Sequence, residues 1–229
     1  MWYKVKKIYV WSTKVRPAYK RVPWANTIAY YPLTASTTTS DQSWNSRNLT
    51  NSWNITFWTN QWVSCASFNK NWNLYVNNFY NLSQWDYTIS LWAYKLTQSS
   101  ASYAISIWDW STRWGSCIIE YDNSVLRYAM WYDDLDSSTN PSNQWVNIVI
   151  TYTKNSKTQN IYVNWGNTWT RTATYTHTLP SLKFCVWWDS SWSDLRWTWY
   201  MNEVIVENKA WTADEISNYY NWTKSNYGL

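Results

Sequence analysis

Two acidic residues at alternate positions are the first candidates for chemistry. Glu120 and Asp122 flank Tyr121 at the end of a strand-like stretch. Alternation along a strand puts both carboxylates on one face of a sheet, within reach for the acid and nucleophile roles of glycoside hydrolysis. Asn123, Ser124 and Val125 follow, so no further acid continues the pattern. The sequence therefore predicts a protein that is not an enzyme, with glycoside hydrolysis as the alternative.

His177 is the only histidine of the chain and the second catalytic candidate. It lies in "YTHTLP" (175–180), and nothing in the sequence pairs it with a serine and an acid. A catalytic triad is recognised by such partners rather than by a histidine alone. We expect a surface loop residue.

A third group of side chains consists of residue types that commonly bind sugars. Arg127, Tyr128, Tyr132, Asp133 and Asp134 combine aromatic rings with charged groups inside one short segment. Aromatic rings pack on apolar surfaces while carboxylates and guanidinium groups form directional hydrogen bonds. We predict that this segment binds ligand; the competing interpretation is that the tyrosines fill ordinary strand faces.

The composition has an anomaly that affects how the turns are interpreted. The chain has 24 Trp and 3 Gly in 229 residues, whereas glycine normally makes up about 7% of a protein. Most Trp residues lie in turn contexts that contain Asn, Asp or Ser, such as 42–48, 51–54 and 163–170, where glycine is the usual residue. The exceptions are Trp92, Trp145 and Trp211, which stand in strand or helix-entry contexts. We hypothesise that UGA encodes glycine in this gene and that the other Trp letters represent glycine; genuine tryptophans are the alternative.

Charge divides the chain into an arm and a body. Residues 1–40 hold seven basic and no acidic side chains, whereas the rest has 12 basic and 14 acidic ones. We predict a basic arm over 1–27 and one domain over 28–229. The segment "KIYVWSTKVRPAYKRVP" (7–23) resembles short N-terminal segments of phage virion and prophage-type proteins. This resemblance implies docking to virion neighbours through residues 1–23.

Several function classes find no support in the sequence. No nucleic-acid-binding motif is present, and no apolar run is long enough to span a membrane. The N-terminal "MWYKVKKIYV" lacks the apolar stretch of a signal peptide. Cys65, Cys117 and Cys185 form no CxxC pattern, so buried free thiols are expected.

Hydrophobic patterning predicts an all-β protein. Strands are expected at 28–33, 64–69, 73–77, 87–96, 103–108, 116–121, 125–132, 145–153, 159–164, 168–176, 182–187 and 199–207. A hairpin is expected over 68–76 and a loop over 34–46. One helix is expected at 213–221, because Thr212 and Glu215 form a capping box, and Trp222 would occupy the glycine position after it. Many strands with one late helix indicate an antiparallel two-sheet sandwich.

Five motifs together resemble the laminin-G-like, concanavalin A-like jelly-roll domains. They are "IAYYPLTASTTTSDQSWNSRNLT" (28–50), "WVSCASFNKNWNLYV" (62–76), "DYTISLWAYKL" (86–96), "NQWVNIVITYTKNSKTQNIYVNWG" (143–166) and "WYMNEVIVENKAWTADEISNYYN" (199–221). They occur in the family's order over about residues 28–222. The resemblance implies a concanavalin A-like β-sandwich with a concave sheet that binds a ligand.

The resemblance also bears on metal, enzyme and function. Glycoside hydrolases of this fold carry a third acid, which is missing after Asp122. Calcium is frequent in the family, and Asp41 and Asp109 are loop acids of a suitable type. Asp41 could instead form an Asx-turn. Asp133, Asp134 and Asp136 could together ligate one cation, and a solvated loop is the alternative for this cluster. We predict a non-enzymatic module that recognises a carbohydrate or cell-surface glycan, displayed on a virion or extracellularly; a purely architectural virion protein is the further alternative.

Overall fold

The fold consists of two antiparallel sheets and a short C-terminal helix. The computed structural model describes residues 25–52, 55–69, 73–95, 102–108, 117–122, 125–130, 133–139, 141–179, 183–188 and 198–229. The strands within these ranges are β1 (Thr27–Tyr31), β2 (Thr50–Asn51), β3 (Thr56–Asn60), β4 (Val63–Asn69), β5 (Leu74–Val76), β6 (Tyr87–Lys95), β7 (Ser102–Trp108), β8 (Cys117–Asp122), β9 (Val125–Ala129), β10 (Leu135–Asp136), β11 (Trp145–Thr153), β12 (Thr158–Val163), β13 (Asn167–Thr172), β14 (Lys183–Trp188) and β15 (Thr198–Glu207). The helix α1 spans Ala213–Thr223, and short 3-10 helices span Leu82–Gln84 and Lys224–Tyr227.

The two sheets face each other across the hydrophobic core. The first sheet has the order β13-β12-β11-β6-β15-β4-β3, and β1 also pairs with β15. The second sheet has the order β10-β9-β8-β7-β14-β5-β2. All of these pairings are antiparallel, so the predicted two-sheet sandwich is confirmed.

Strand β6 shows why the central strands are buried on both sides. Tyr87, Ile89, Leu91 and Ala93 point into the core between the sheets. The intervening side chains point to the outer face, where Trp92 joins a second apolar cluster. Because side chains alternate along a strand, burial of both sets requires a layer on each face. The C-terminal segment supplies the outer layer.

Helix α1 begins where the capping pattern predicts. The Glu215 amide donates to Thr212 Oγ1 at 3.2 Å, and the Thr212 amide donates to Glu215 Oε2 at 2.9 Å. These bonds satisfy two backbone donors that a helix start would otherwise leave open. Trp211, Ile216 and Tyr219 then pack in the outer apolar cluster of the first sheet.

The helix end differs from the prediction. Residue 222 is helical rather than the capping position, since α1 continues to Thr223 and a 3-10 turn follows. Gly228, at φ 79°, closes that turn in the left-handed conformation. The C-terminal chain therefore continues far enough across the sheet to place Tyr227 against it.

The predicted strands each have a counterpart, but three short ones were missed. These are β2, β3 and β10, which have little apolar alternation. The predicted hairpin over 68–76 is wrong, because β4 lies in the first sheet and β5 in the second. Its central residues 70–72 lie outside the described part of the chain. The hairpin in this region is instead β3–β4, whose ladder closes at Asn60 and Val63.

The tryptophans predicted to be genuine are more buried than several of the others. Trp92, Trp145 and Trp211, predicted to be genuine, are 0%, 1% and 3% exposed. Trp44 and Trp62 are 79% and 97% exposed. Trp199, which the recoding hypothesis assigns to glycine, is nevertheless fully buried.

Backbone geometry adds to this division. Trp62 and Trp165 have φ angles of 74° and 51°, a region that bulky residues rarely adopt. Both lie at hairpin turns, between β3 and β4 and between β12 and β13. The three cysteines are free and buried, as predicted.

Candidate ligand-binding face

The outer face of the second sheet carries a line of polar side chains across four strands. In the strand register, Tyr103 of β7 pairs with Glu120 of β8, Glu120 with Arg127 of β9, and Arg127 with Asp136 of β10. We call these four residues the charged row. Adjacent strands lie about 4.8 Å apart, so the row extends over about 14 Å.

Alternation along the strands fixes the outward direction of this row. Ile119, Leu126, Tyr128 and Leu135, which neighbour the row in sequence, all point into the core. Because paired residues share a face of the sheet, the row members point away from the core. The Arg127 side chain is 24% exposed and the Asp136 side chain is 47% exposed.

Arg127 and Asp136 form a two-point ion pair. Arg127 Nε donates to Asp136 Oδ1 at 2.6 Å, and Nη2 donates to Oδ2 at 3.1 Å. The hydrogen bond to Asp136 raises the pKa of Arg127 above its usual value, with burial opposing and the field of Glu120 adding to the rise. The geometry holds the guanidinium plane in one orientation on the sheet surface.

The predicted ligand-binding segment is distributed between surface and core. Arg127 belongs to the charged row, but the Tyr128 side chain is fully buried, and its hydroxyl contacts the Tyr87 hydroxyl. Tyr132 lies outside the described residues. Asp133 and Asp134 lie at the end of the row, between β9 and β10. The prediction that these five residues bind ligand stays a prediction.

Asp133 is almost fully buried and held by the segment after β13. The amides of Thr174 and Tyr175 donate to its two oxygens at 2.9 Å each, and Arg171 Nη2 donates at 3.1 Å. Burial raises the pKa of Asp133, but these hydrogen bonds and the Arg171 charge outweigh it, so the net pKa is lowered. Asp133 thus links the β10 edge of the second sheet to the β13 edge of the first sheet.

Asp134 makes a local contact. The Met130 amide donates to Asp134 Oδ1 at 2.9 Å, and the Asp134 backbone carbonyl accepts from Arg171 Nη1 at 2.6 Å. Burial is the main cause of a raised pKa for Asp134, and the field of Asp136 adds to it. The Asp133, Asp134 and Asp136 carboxylates thus contact different partners rather than a common point.

Asp41 has the geometry of an Asx-turn. Its Oδ1 accepts from the amides of Ser43 at 2.8 Å and Tyr30 at 2.9 Å. Its Oδ2 accepts from the Arg47 amide at 2.8 Å and from Ser43 Oγ at 2.8 Å. Calcium needs oxygen ligands that are open to it, and a carboxylate accepting four such bonds does not fit that role.

The described residues away from Asp41 also contain no cluster of metal-binding side chains. Asp109 lies outside the described residues. Within them, no cluster of three or more His, Cys, Asp or Glu side chains could hold a metal ion. Calcium binding therefore stays a prediction.

The acid pair lies at the end of strand β8. Glu120, Tyr121 and Asp122 are the last residues of β8, and the chain continues as β9 from Val125. In the register, Glu120 faces the base Arg127 and Asp122 pairs with Val125. Glu120 thus lies within a mixed row of charges.

His177 is a core residue, so the expected surface position is wrong. It is 4% exposed, and its ring stacks on Tyr152 with centroids 3.8 Å apart and planes 12° apart. Nδ1 lies 3.0 Å from the Tyr87 hydroxyl, and Nε2 lies 3.2 Å from Gln159 Nε2. Burial lowers the pKa of His177 to about 3, with Asp133 opposing. No serine and acid of a triad face it among these contacts.

Sequence reasoning missed most of the charged row as a binding surface. Tyr103, Glu120 and Asp136 are far apart in the chain, and only strand pairing brings them together with Arg127. The alternation within each strand could have shown that each of these residues points outward. The register of one strand against the next, which aligns them, was not predicted. Lys183 adds a further feature to the same sheet: its Nζ lies 4.0 Å from the Tyr75 ring centroid.

Comparison with known proteins establishes the fold. No protein-family model and no curated protein matches the sequence. Among solved structures, the binding domain of Paraclostridial mosquitocidal protein 1 matches with a TM-score of 0.73 and 15% identity over 86% of this chain and 52% of that one.

Two botulinum neurotoxin structures match similarly. One, of type C, whose cell entry depends on two ganglioside molecules, has a TM-score of 0.69 and 11% identity, covering 86% of this chain and 51% of that one. The binding domain of neurotoxin DC in complex with rat synaptotagmin II has a TM-score of 0.70 and 13% identity, covering 86% and 52%. This chain thus spans about half the length of these structures, which share its β-sandwich fold. The finer resemblance to laminin-G-like domains is not confirmed by them.

Within the described residues, no helix is both long and apolar enough to cross a membrane.

Proposed function

We propose that this chain is a non-enzymatic glycan-recognition or adhesion module that binds a cell-surface carbohydrate through the charged row. The observation that carries the proposal is the alignment of an aromatic ring, two carboxylates and a guanidinium on one outward sheet face. A sugar presents an apolar C–H surface and polar hydroxyl groups. Aromatic rings pack against the first, and charged side chains form hydrogen bonds with the second.

Each member of the row has a role in this mechanism. The Tyr103 ring supplies an apolar surface for a sugar ring, while Glu120 and Asp136 accept hydrogen bonds from hydroxyl groups. Arg127 supplies guanidinium N–H donors to sugar oxygens. Because the guanidinium is already fixed by Asp136, little side-chain entropy is lost on binding.

The structural neighbours support the coarser part of this proposal. They are binding domains rather than catalytic ones, and the two neurotoxin structures concern ganglioside and synaptotagmin interactions. Their fold is therefore used for cell-surface attachment in other proteins. A glycan or other surface receptor is the corresponding partner for this chain.

A glycan array tests the proposal directly. The wild-type chain, an Arg127→Ala variant and a Lys154→Ala variant are compared on the same array. Lys154 is the matched control because its exposed ammonium donates to Gln84, away from the charged row. We expect binding by the wild type and by the control, and loss of binding by Arg127→Ala. Equal binding by all three would remove the charged row from the proposal.

Glycoside hydrolysis is the enzymatic alternative, and it rests on Glu120 and Asp122. The row geometry favours binding, since Glu120 faces Arg127 across the ladder. Incubation with mixed polysaccharides followed by measurement of reducing ends tests it. Sugar release that is lost in Glu120→Gln would establish the enzyme instead.

A virion role is a separate proposal based on the basic N-terminal residues. Docking through residues 1–23, which lie outside the described part of the chain, would display the sandwich at a particle surface. Deletion of these residues should prevent incorporation into particles while leaving glycan binding intact. Unchanged incorporation would contradict the docking role, and particle incorporation without any glycan binding would favour a purely architectural protein.

A further inference from the structure

Strand β10 carries the Asp136 carboxylate of the charged row but contains only two residues. Among the described strands it lies at the edge of the second sheet, where Asp136 pairs with Arg127 of β9. So short a strand contributes few ladder hydrogen bonds, and weakly held edges are the parts of a fold that open most readily. The contact between Asp136 and Arg127 therefore depends on bonds outside the ladder.

Asp133, which precedes β10 in the chain, ties this edge to the first sheet. Its side chain is 2% exposed, and its two oxygens accept from the amides of Thr174 and Tyr175 at 2.9 Å each. Arg171 of β13 donates to Asp133 Oδ1 at 3.1 Å. We call Asp133 and Arg171 the edge latch. Its bonds are charge-assisted, which makes them stronger than hydrogen bonds between neutral groups.

The segment that supplies the two amides is itself anchored in the core. The His177 ring, which follows Tyr175 closely in the chain, stacks on Tyr152 with centroids 3.8 Å apart. The His177 amide also donates to the Tyr152 hydroxyl at 3.2 Å. The amides of Thr174 and Tyr175 thus lie on a packed support, and the Asp133 carboxylate is attached to a fixed point.

Two other bonds beside β10 stay within the β9–β10 pair of strands. The Ser137 amide donates to the Leu126 carbonyl at 2.8 Å, and the Met130 amide donates to Asp134 Oδ1 at 2.9 Å. These bonds follow the two strands when the sheet edge moves. The edge latch differs because it crosses to the first sheet, so the edge cannot move away from the core without breaking it.

We propose that Asp133 is a positioning residue for glycan binding: the edge latch keeps β10 in place, so that Asp136 holds the Arg127 guanidinium in its binding orientation. This inference rests on the proposed function of the charged row. In this mechanism Asp133 does not touch the sugar, since its carboxylate is buried and accepts three hydrogen bonds. Loss of the latch would increase the side-chain freedom that binding has to remove.

Exchange of the Arg127 Nε hydrogen with solvent measures this positioning without any ligand. NMR spectra of the full chain report this hydrogen, which Asp136 Oδ1 accepts, and an Arg127→Lys variant identifies its signal. Asp133→Asn removes the negative charge and places an amide group opposite the N–H donors of the latch. We expect the exchange to become about tenfold faster in this variant, which corresponds to about 1.4 kcal/mol in the free energy of opening.

Asp41→Asn is the matched control. It makes the same chemical change at another buried carboxylate that accepts amide hydrogen bonds. Asp41 lies in the segment that leads to β2, at the opposite edge of the second sheet from β10. We expect a loss of stability in both variants, but faster Arg127 exchange only in Asp133→Asn.

Arg171→Lys is a milder second variant, which decides the question on the same measurement if Asp133→Asn does not fold. Lysine keeps the positive charge but lacks the planar fork with which Arg171 reaches both Asp133 and the Asp134 carbonyl. We expect about threefold faster exchange of the Arg127 hydrogen, because a partly exposed ion pair contributes modestly.

Glycan affinity tests the consequence for binding. Immobilised lactose, chitotetraose and sialyllactose are probed by surface plasmon resonance. We expect Asp133→Asn to bind the sugars that the wild type recognises about tenfold more weakly, and Asp41→Asn to bind them as the wild type does. In an Asp136→Asn background, Asp133→Asn should weaken binding little further, because residues that act through one another are not additive.

The outcomes separate this inference from the proposed function. Equal Arg127 exchange in the wild type and Asp133→Asn, or equal acceleration in Asp41→Asn, would overturn the inference. Additive losses of affinity in the double variant would also overturn it, since Asp133 would then act independently of Asp136. Wild-type binding to no glycan would overturn the proposed function, and the exchange rates would still decide whether the edge latch fixes the Arg127–Asp136 pair.

Discussion

The indole ring of Trp92 stacks on the phenol ring of Tyr227, with centroids 3.8 Å apart and planes 11° apart. Tyr227 also donates its hydroxyl hydrogen to Asn202 Oδ1 at 2.6 Å. The C-terminal 3-10 turn thereby covers the outer face of the first sheet. The charged row on the second sheet lies on the opposite side of the sandwich.

The Trp92–Tyr227 stack predicts a large cost for removing the ring. Tyr227→Ala should lower the free energy of unfolding by about 3–5 kcal/mol, as for other buried aromatic truncations. Tyr227→Phe keeps the stack and loses only the hydroxyl, so about 1 kcal/mol is expected. Urea unfolding measures both. Leu229→Ala, at an exposed position, is the control, and a cost for Tyr227→Ala as small as the control's would contradict the stabilising role.

The Asp41 carboxylate predicts a structural effect without metal. Asp41→Ala leaves the amides of Tyr30, Ser43 and Arg47 without this acceptor, so stability should fall by about 2–4 kcal/mol. The neighbouring exposed Gln42→Ala should change little. Thermal unfolding with calcium or with a chelator should give the same midpoint for the wild type. A calcium-dependent rise that Asp41→Ala abolishes would show that Asp41 binds the ion.

Burial of His177 predicts a loss of stability in mild acid. Its folded pKa of about 3 lies below the unfolded value of 6.5, so the unfolded chain takes up a proton first as pH falls. This stability is present above about pH 6.5 and is lost progressively towards pH 3. Between pH 6.5 and 5 the loss should be about 1.5–2 kcal/mol.

The pH dependence is measured by urea unfolding at several pH values in that range. His177→Gln should be less stable overall, because the stack on Tyr152 is changed, but its stability should vary less with pH. An equal pH slope in wild type and variant would show that other groups cause the acid sensitivity.

Two Trp positions with positive φ predict stabilisation by glycine. Trp62→Gly and Trp165→Gly should each raise stability by about 1 kcal/mol, since glycine adopts such backbone angles without strain. Trp145→Gly should instead lose several kcal/mol, because its indole is buried. Thermal unfolding distinguishes the two groups. Destabilisation at positions 62 and 165 would argue for genuine tryptophans there.

The recoding hypothesis has its own direct measurement. Peptide mass spectrometry of native material reports the residue mass at Trp72, Trp165 and Trp222. Glycine masses would establish recoding, and tryptophan masses would exclude it. In the second case the exposed Trp44 and Trp62 would become candidates for an aromatic binding surface.

Local sequence signals were sufficient for the longer strands and for the start of the helix. Thr212 and Glu215 identify the helix start because both hydrogen bonds of the capping box are formed within one turn. The alternation in β6 and β11 identifies the long central strands because it reflects the two sides of each strand. The helix end was missed because Gly228 lies beyond a 3-10 turn that has no clear sequence pattern.

Long-range packing decided the features that matter for function. His177 has the sequence context of a surface loop, yet its position against Tyr152 and Tyr87 is fixed by residues 25 and 90 positions away. The crossing from β4 to β5 likewise changes sheets although its sequence resembles a hairpin.

The sequence alone determined an antiparallel all-β sandwich with one C-terminal helix, because alternation and capping are local properties of neighbouring residues. It also identified Arg127 as a candidate for ligand binding. Only the tertiary structure aligned Tyr103, Glu120, Arg127 and Asp136 on one surface, since the register between strands depends on how the whole core packs. The same packing turned Tyr128 inward, because adjacent residues of a strand face opposite sides of the sheet.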